Sequence, residues 1–191
     1  MAALERKRTQ QWFTFSNGLT SMRLVAAPFF YCLIVNQSWW AACVLFWLAV
    51  ASDIVDGRLA RARGETSAFG GLLDHTSDAT FVTLGQMALV KAGCVPILLP
   101  ILIVAAFLQY GFDSRVLAGR ELRASYLGRW NGVFYFVPPG VVVTREALGL
   151  AMPPDPIVLI LGWALVISTL ISMVDRLTSA ISVRRGDLPR P

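Results

Sequence analysis

Charge is scarce in this 191-residue chain: Asp, Glu, Lys and Arg together make up 15% of it, against roughly a quarter in soluble domains. So low a fraction excludes a disordered polyelectrolyte. It also excludes a nucleic-acid-binding domain, although the formal net charge is +5. Histidine occurs once and cysteine three times. Cys32, Cys43 and Cys94 are odd in number and show no C-x-x-C spacing, which argues against a disulfide framework and a zinc site and leaves them as small packing residues. Alternating strands with turn pairs are missing as well, which argues against a membrane barrel. No internal repeat, low-complexity segment or linker divides the chain, so residues 1–191 read as a single domain.

What fills the chain instead is apolar. Hydrophobic residues make up 55% of it, with a mean hydropathy of +0.59. Six runs stand out: Leu24–Val35, Trp39–Ala51, Ala79–Val90, Val95–Tyr110, Val133–Val143 and Ile157–Val174. With polar ends added they predict an all-α integral membrane protein of six transmembrane helices, because backbone groups in hydrocarbon must be satisfied within the segment. The first run is not a cleavable signal peptide, since no small-residue cleavage site follows it. Before it, Thr9–Leu19 carries Trp12, Phe13, Phe15 and Leu19 and predicts a short interfacial amphipathic helix within a cytoplasmic segment, residues 1–20. If the amino terminus is cytoplasmic, the basic residues sort to one side, leaving only Lys91 and Arg145 on the other. That asymmetry puts both termini in the cytoplasm. It groups Arg23 with Arg6, Lys7 and Arg8 on the cytoplasmic side.

Most acidic residues fall where a bland membrane protein would put them. Asp113 and Asp155 lie in expected loops, Asp175 ends the last expected helix, and Glu146 follows the fifth. Asp53, Asp56, Asp74 and Asp78 do not conform. Measured from Trp39 and Lys91 as outer helix ends, Asp53 and Asp78 lie about 20 Å down their helices and Asp56 and Asp74 about 26 Å. All four therefore come out near the cytoplasmic edge of a hydrocarbon core roughly 30 Å thick. The i, i+3 and i, i+4 spacings put each pair on one face of its helix.

Carboxylates at that depth need a counter-charge, since each costs about 2.5–3.5 kcal/mol on insertion scales. The nearby arginines lie mostly beyond the expected helix ends. Two divalent cations, Mg²⁺ or Mn²⁺, suit an all-oxygen cluster and would still attract a diphosphate. Gly57, four residues after Asp53, opens room against the backbone, and Ala60 repeats the small size. Arg61 can fork onto phosphate oxygens, and Gly70 lies one turn before Asp74. A divalent-cation transporter would explain the carboxylates equally well. It would not explain Gly57, Ala60 and Arg61, and it should place its site at the midplane.

Asp53-x-x-Asp56-Gly57-x-x-Ala60-Arg61, followed by Gly70, Asp74 and Asp78, resembles the signature of the CDP-alcohol phosphotransferase family, class I, at every fixed position. Asn17, Thr20, Arg23 and Pro28 are similar to the family's opening segment, and the stretch from Arg120 to Trp130 is similar to its basic connection between helices four and five. The resemblance implies that Asp53, Asp56 and Asp74 ligate metal. It makes Asp78 a further ligand or the base that takes the acceptor's proton. Gly57 and Ala60 would accept the cytidine of a CDP-linked lipid, with Gly70 also among the donor-binding positions, and Arg61 would bind its diphosphate. The implied reaction belongs to phospholipid biosynthesis: a phosphatidyl group passes from CDP-diacylglycerol to a hydroxyl acceptor and CMP leaves. A homodimer in the bacterial cytoplasmic membrane, with its site facing the cytoplasm and membrane lipids around it, is the matching expectation.

Acceptor identity is less legible. Arg115, Arg120, Arg123 and Arg129 can line a pocket for a polyol phosphate such as glycerol 3-phosphate, or can be ordinary positive-inside arginines. Ala79 stands where enzymes of that specificity usually carry lysine. Asp74-His75-Thr76-Ser77-Asp78 is similar instead to choline and ethanolamine phosphotransferases, which move a head group onto diacylglycerol. His75 can serve an interhelical role or touch substrate. Asn17 and Arg23 can anchor phosphate, or act as an interfacial cap and a snorkelling arginine.

Overall fold

The computed structural model describes the backbone of residues 15–63, 68–116 and 126–185, with the side chains of 21–55, 71, 73–111 and 127–179. Among these residues the chain is helical and has no strand. The helices are α1 (Phe15–Val35), α2 (Trp39–Arg63), α3 (Ala68–Lys91), α4 (Leu98–Val116), α5 (Tyr126–Phe134), α6 (Val137–Leu148) and α7 (Asp155–Arg185). Phe15–Leu19 open α1 and are not a separate interfacial helix. The rest of that expected segment, with Trp12 and Phe13, lies outside the described residues.

The fifth apolar run does not form one helix. Val133–Val143 straddles the end of α5, a turn at Tyr135–Phe136 and the start of α6. Pro138 and Pro139 account for the break: neither has an N–H to continue the ladder, and both are tolerated only in a first turn. α6 ends at Gly149, which adopts the left-handed conformation (φ +63°) and donates to the Arg145 and Glu146 carbonyls. Two acidic residues expected in loops belong to helices, Asp113 to α4 and Asp155 to the first turn of α7. α7 also runs ten residues past Asp175, its expected end.

α1 is the central element. It packs most extensively on α3 and also on α2, whereas the backbones of α2 and α3 stay apart among the described residues and meet only through side chains such as Phe46 and Phe81, whose ring centroids are 6.4 Å apart. α1 stands between the two aspartate-bearing helices, α2 and α3. Phe30 of α1 stacks on Phe81 of α3 with ring centroids 4.7 Å apart. This approach needs Gly85, where a Cβ would come within 2.8 Å of the Phe30 ring. α4 packs on α3 and α7, α5 on α7, and α6 on α2. At the end of the bundle remote from the aspartates, Arg145 Nη2 reaches Asp155 Oδ1 at 2.6 Å and Glu146 Oε1 at 2.7 Å, tying α6 to α7.

Polarity is inverted relative to a water-soluble domain. Val25, Phe29, Trp47, Leu48, Ile101, Ile160, Ile167 and Ile171 are exposed, while Arg23, Ser77, Gln86, Asn131, Thr169 and Ser172 are buried. An apolar exterior this extensive needs a cover other than water. Asp155–Ser179 within α7 is long and apolar enough to cross a membrane, and Ser21–Val35, Trp39–Val55 and Leu98–Gly111 are shorter apolar stretches. α3 is diluted by Asp74, His75, Ser77, Asp78, Thr80, Thr83 and Gln86, several of which face the interior.

Candidate active site

Asp53 comes from the middle of α2, and Asp74 and Asp78 from consecutive turns of α3. One carboxylate oxygen from each lies within 4.8 Å of the other two. The i, i+4 spacing aims the two α3 carboxylates the same way, and α2 brings Asp53 to the same point from the other side of α1. All three remain partly open, with side-chain exposures of 44%, 46% and 26% for Asp53, Asp74 and Asp78.

Among the described residues the counter-charge at the cluster is an arginine, contrary to the expectation that the nearby arginines lie mostly beyond the helix ends. Arg23 sits inside α1 with its side chain 1% exposed. Its Nη1 is 3.0 Å from Asp53 Oδ1 and 3.4 Å from Asp74 Oδ1, and it donates to Asp78 Oδ1. Nε and Nη2 have no partner among the described residues. Three carboxylates gathered at one guanidinium form an all-oxygen cluster. A hard cation prefers an all-oxygen donor set of this kind, so the residues present fit Mg²⁺ or Mn²⁺.

Beside the cluster lies a cavity of about 720 Å³ whose wall includes Asp53, His75, Asp78, Tyr110, Arg129 and Arg176. Much of the remaining wall is apolar, with Val82, Ile103, Phe107 and Phe136 among its residues. His75 meets the Tyr110 ring edge-on at 5.1 Å, which favours the interhelical alternative for it. The Arg176 guanidinium lies over the other partner of this group, 5.3 Å from the Tyr110 centroid, within the range of a cation–π contact. Gly128 leaves space for it: a Cβ there would come within 2.7 Å of Arg176 Nη2 and 2.8 Å of Ser172 Oγ. Acidic and basic groups thus share one cavity, supplied by α2 and α3 on one hand and α5 and α7 on the other.

Of the sequence-derived candidates, Asp53, Asp74 and Asp78 come together, and Arg129 shares the cavity wall with Asp53 and Asp78. Asp56, Gly57, Ala60, Arg61, Gly70 and Arg115 belong to helices whose side-chain surroundings at those positions lie outside the described residues, as do Arg120 and Arg123 altogether. Sequence reasoning did not propose Arg176, which it counted among cytoplasmic basic residues. Its position right after Asp175 at the supposed helix end hid it; the continuing run to Arg185 keeps it helical. For Arg23, the available signal was its place eight residues into α1, about 12 Å along the axis.

Residues 13–175 match the family described as CDP-alcohol phosphatidyltransferase. The chain is 26% identical over 164 residues to the cardiolipin synthase (CMP-forming)/mitochondrial hydrolase fusion protein of Schizosaccharomyces pombe, covering 76% of this chain and 28% of that protein. It is 30% identical over 128 residues to the CDP-diacylglycerol–glycerol-3-phosphate 3-phosphatidyltransferase of Pseudomonas fluorescens, covering 65% and 59%. With the cardiolipin synthase (CMP-forming) of Streptomyces coelicolor it shares 31% identity over 107 residues, covering 52% and 49%. In each case the match spans less than two thirds of the relative's length. The family match takes in α1 to α6 and most of α7, with the whole aspartate cluster inside it: this chain belongs to the CDP-alcohol phosphatidyltransferase family.

Proposed function

We propose that this protein transfers a phosphatidyl group from CDP-diacylglycerol to a hydroxyl acceptor and releases CMP. The supporting observation is the convergence of Asp53, Asp74 and Asp78 beside a cavity whose wall includes Asp53, Asp78, Arg129 and Arg176. In this reading Asp53, Asp56, Asp74 and Asp78 hold two divalent cations. When bound, these ions neutralise the donor diphosphate and the departing CMP. Arg61 adds its charge to the same phosphates, and Gly57, Ala60 and Gly70 leave room for the nucleoside. Asp78 accepts the acceptor hydroxyl's proton as the oxygen attacks the lipid-bearing phosphorus. The bond from that phosphorus to the bridging oxygen breaks, and its electrons leave with CMP.

The acceptor we propose is a polyol phosphate such as glycerol 3-phosphate. Arg129 and Arg176 supply the charge for its phosphate, with Arg115, Arg120 and Arg123 as further candidates. A second reading has an observation of its own. The largely apolar cavity wall suits an acceptor with acyl chains, such as phosphatidylglycerol, and two of the relatives are named cardiolipin synthases.

The surrounding architecture we propose is six membrane crossings: α1, α2, α3, α4, the interrupted pair α5–α6, and α7. Both termini and the active site face the cytoplasm of a bacterial inner membrane, and the protein forms a homodimer. The apolar exterior and the one-sided distribution of basic residues support this placement.

The deciding experiment supplies purified protein with Mg²⁺ and CDP-diacylglycerol, and offers glycerol 3-phosphate, phosphatidylglycerol, serine and inositol phosphate separately. CMP release with glycerol 3-phosphate is the expected result. Release with phosphatidylglycerol alone selects the second reading. Turnover of only CDP-choline or CDP-ethanolamine with diacylglycerol would overturn the donor assignment.

A further inference from the structure

The Oδ1 atoms of Asp53, Asp74 and Asp78 all face one guanidinium nitrogen, that of Arg23. A cation seated among these carboxylates would share its ligands with a fixed positive charge. The guanidinium cannot shed that charge by losing a proton. Nor is it held as arginine–carboxylate pairs usually are, by two parallel N–H···O bonds. A single nitrogen serves three acceptors, while Nε and Nη2 are buried with no partner among the described residues. This is an under-used fork on a long side chain.

We propose that Arg23 is the resident counter-ion of the aspartate cluster: it gathers the three carboxylates when no metal is present and competes with divalent cations for their oxygens. The proposal rests on the reading of this cluster as a metal site. Without Arg23, three carboxylates whose oxygens lie within 4.8 Å of one another repel and lose the positive charge that joins them from α1. A divalent cation entering that cluster would meet more uncompensated negative charge and less positive charge. Arg23 is therefore a positioning residue. Its loss is expected to weaken the metal-free fold and strengthen metal binding, whereas a residue that only packs would do the first and not the second.

The test measures Mn²⁺ affinity and thermal unfolding of the full chain in detergent, with and without EDTA. Arg23→Gln is expected to bind Mn²⁺ about tenfold more tightly than the wild type, by removal of a nearby positive charge. It should also unfold at lower temperature in EDTA and gain more from added Mn²⁺. Arg23→Lys, which keeps the charge but on a shorter side chain that ends farther from the three carboxylates, is expected to fall between them, about threefold tighter than the wild type. Equal or weaker Mn²⁺ binding by Arg23→Gln overturns the proposal; if that variant does not fold, unchanged affinity in Arg23→Lys does so. No Mn²⁺ binding by the wild type, or undiminished binding by Asp53→Asn and Asp74→Asn, would remove the metal-site reading itself.

Discussion

Gln86 of α3 donates from Nε2 to the backbone carbonyl of Tyr135 at 2.8 Å, in the buried interior. Tyr135 is four residues before Pro139, so its carbonyl is one that the helix cannot satisfy from within. A side chain on a neighbouring helix takes over the missing donor. The break between α5 and α6, which leaves Tyr135 and Phe136 on the cavity wall, is thereby made tolerable in the buried interior. Gln86→Leu should orphan that carbonyl and lower stability by about 1–3 kcal/mol, measured as thermal unfolding in detergent. Unchanged stability would show that the carbonyl finds another donor.

Asp78 is the least exposed of the three carboxylates and lines the cavity directly. Asp78→Asn keeps the shape and removes the proton acceptor. CMP release should fall by at least about a hundredfold, while Asp53 and Asp74 retain part of the Mn²⁺ affinity. Activity near the wild-type level would take the base role away from Asp78.

Arg176 is held in place by Tyr110 and by the bare backbone of Gly128. Arg176→Gln should raise the KM for a phosphate-bearing acceptor by about tenfold or more, the worth of a lost charge-assisted hydrogen bond. Gly128→Val should do the same without touching the charge, because its side chain would claim the space of the guanidinium. A KM unaffected by either substitution would place the acceptor phosphate elsewhere.

Cys94 lies in the connection between α3 and α4, with its Sγ 3.6 Å from Asp155 Oδ1. Burial first, and the Asp155 carboxylate second, push its thiol up to about 11. A raised thiol pKa favours the neutral form, so at pH 8 only about one molecule in a thousand carries the reactive thiolate. Iodoacetamide should modify Cys94 very slowly at pH 8 and faster as the pH rises toward 11. Asp155→Asn should move the onset to lower pH. Rapid modification at pH 8 would contradict the burial and the pairing.

The sequence carries the helices and the meeting of Asp53, Asp74 and Asp78, because i, i+4 spacing and depth near one membrane edge are one-dimensional quantities. It does not carry what stands between the acidic helices. That α1 separates α2 from α3 follows from Phe30 stacking on Phe81 over Gly85, a contact between residues far apart in the chain. Arg23 was legible as a possible phosphate anchor, but its burial against the three aspartates was not, for a related reason. Counting basic residues by side cannot tell an arginine in a loop from one buried eight residues into a helix. The divided fifth run was readable in Pro138 and Pro139, whereas the donor that makes the division tolerable, Gln86, was not.

The most direct measurement follows CMP released from CDP-diacylglycerol and glycerol 3-phosphate as Mg²⁺ is added to metal-stripped protein, for the wild type and for Asp74→Asn. The account predicts no release in EDTA, a rise with Mg²⁺ in the wild type, and little or none in Asp74→Asn. Equal release by both proteins, or release that EDTA leaves untouched, would contradict it.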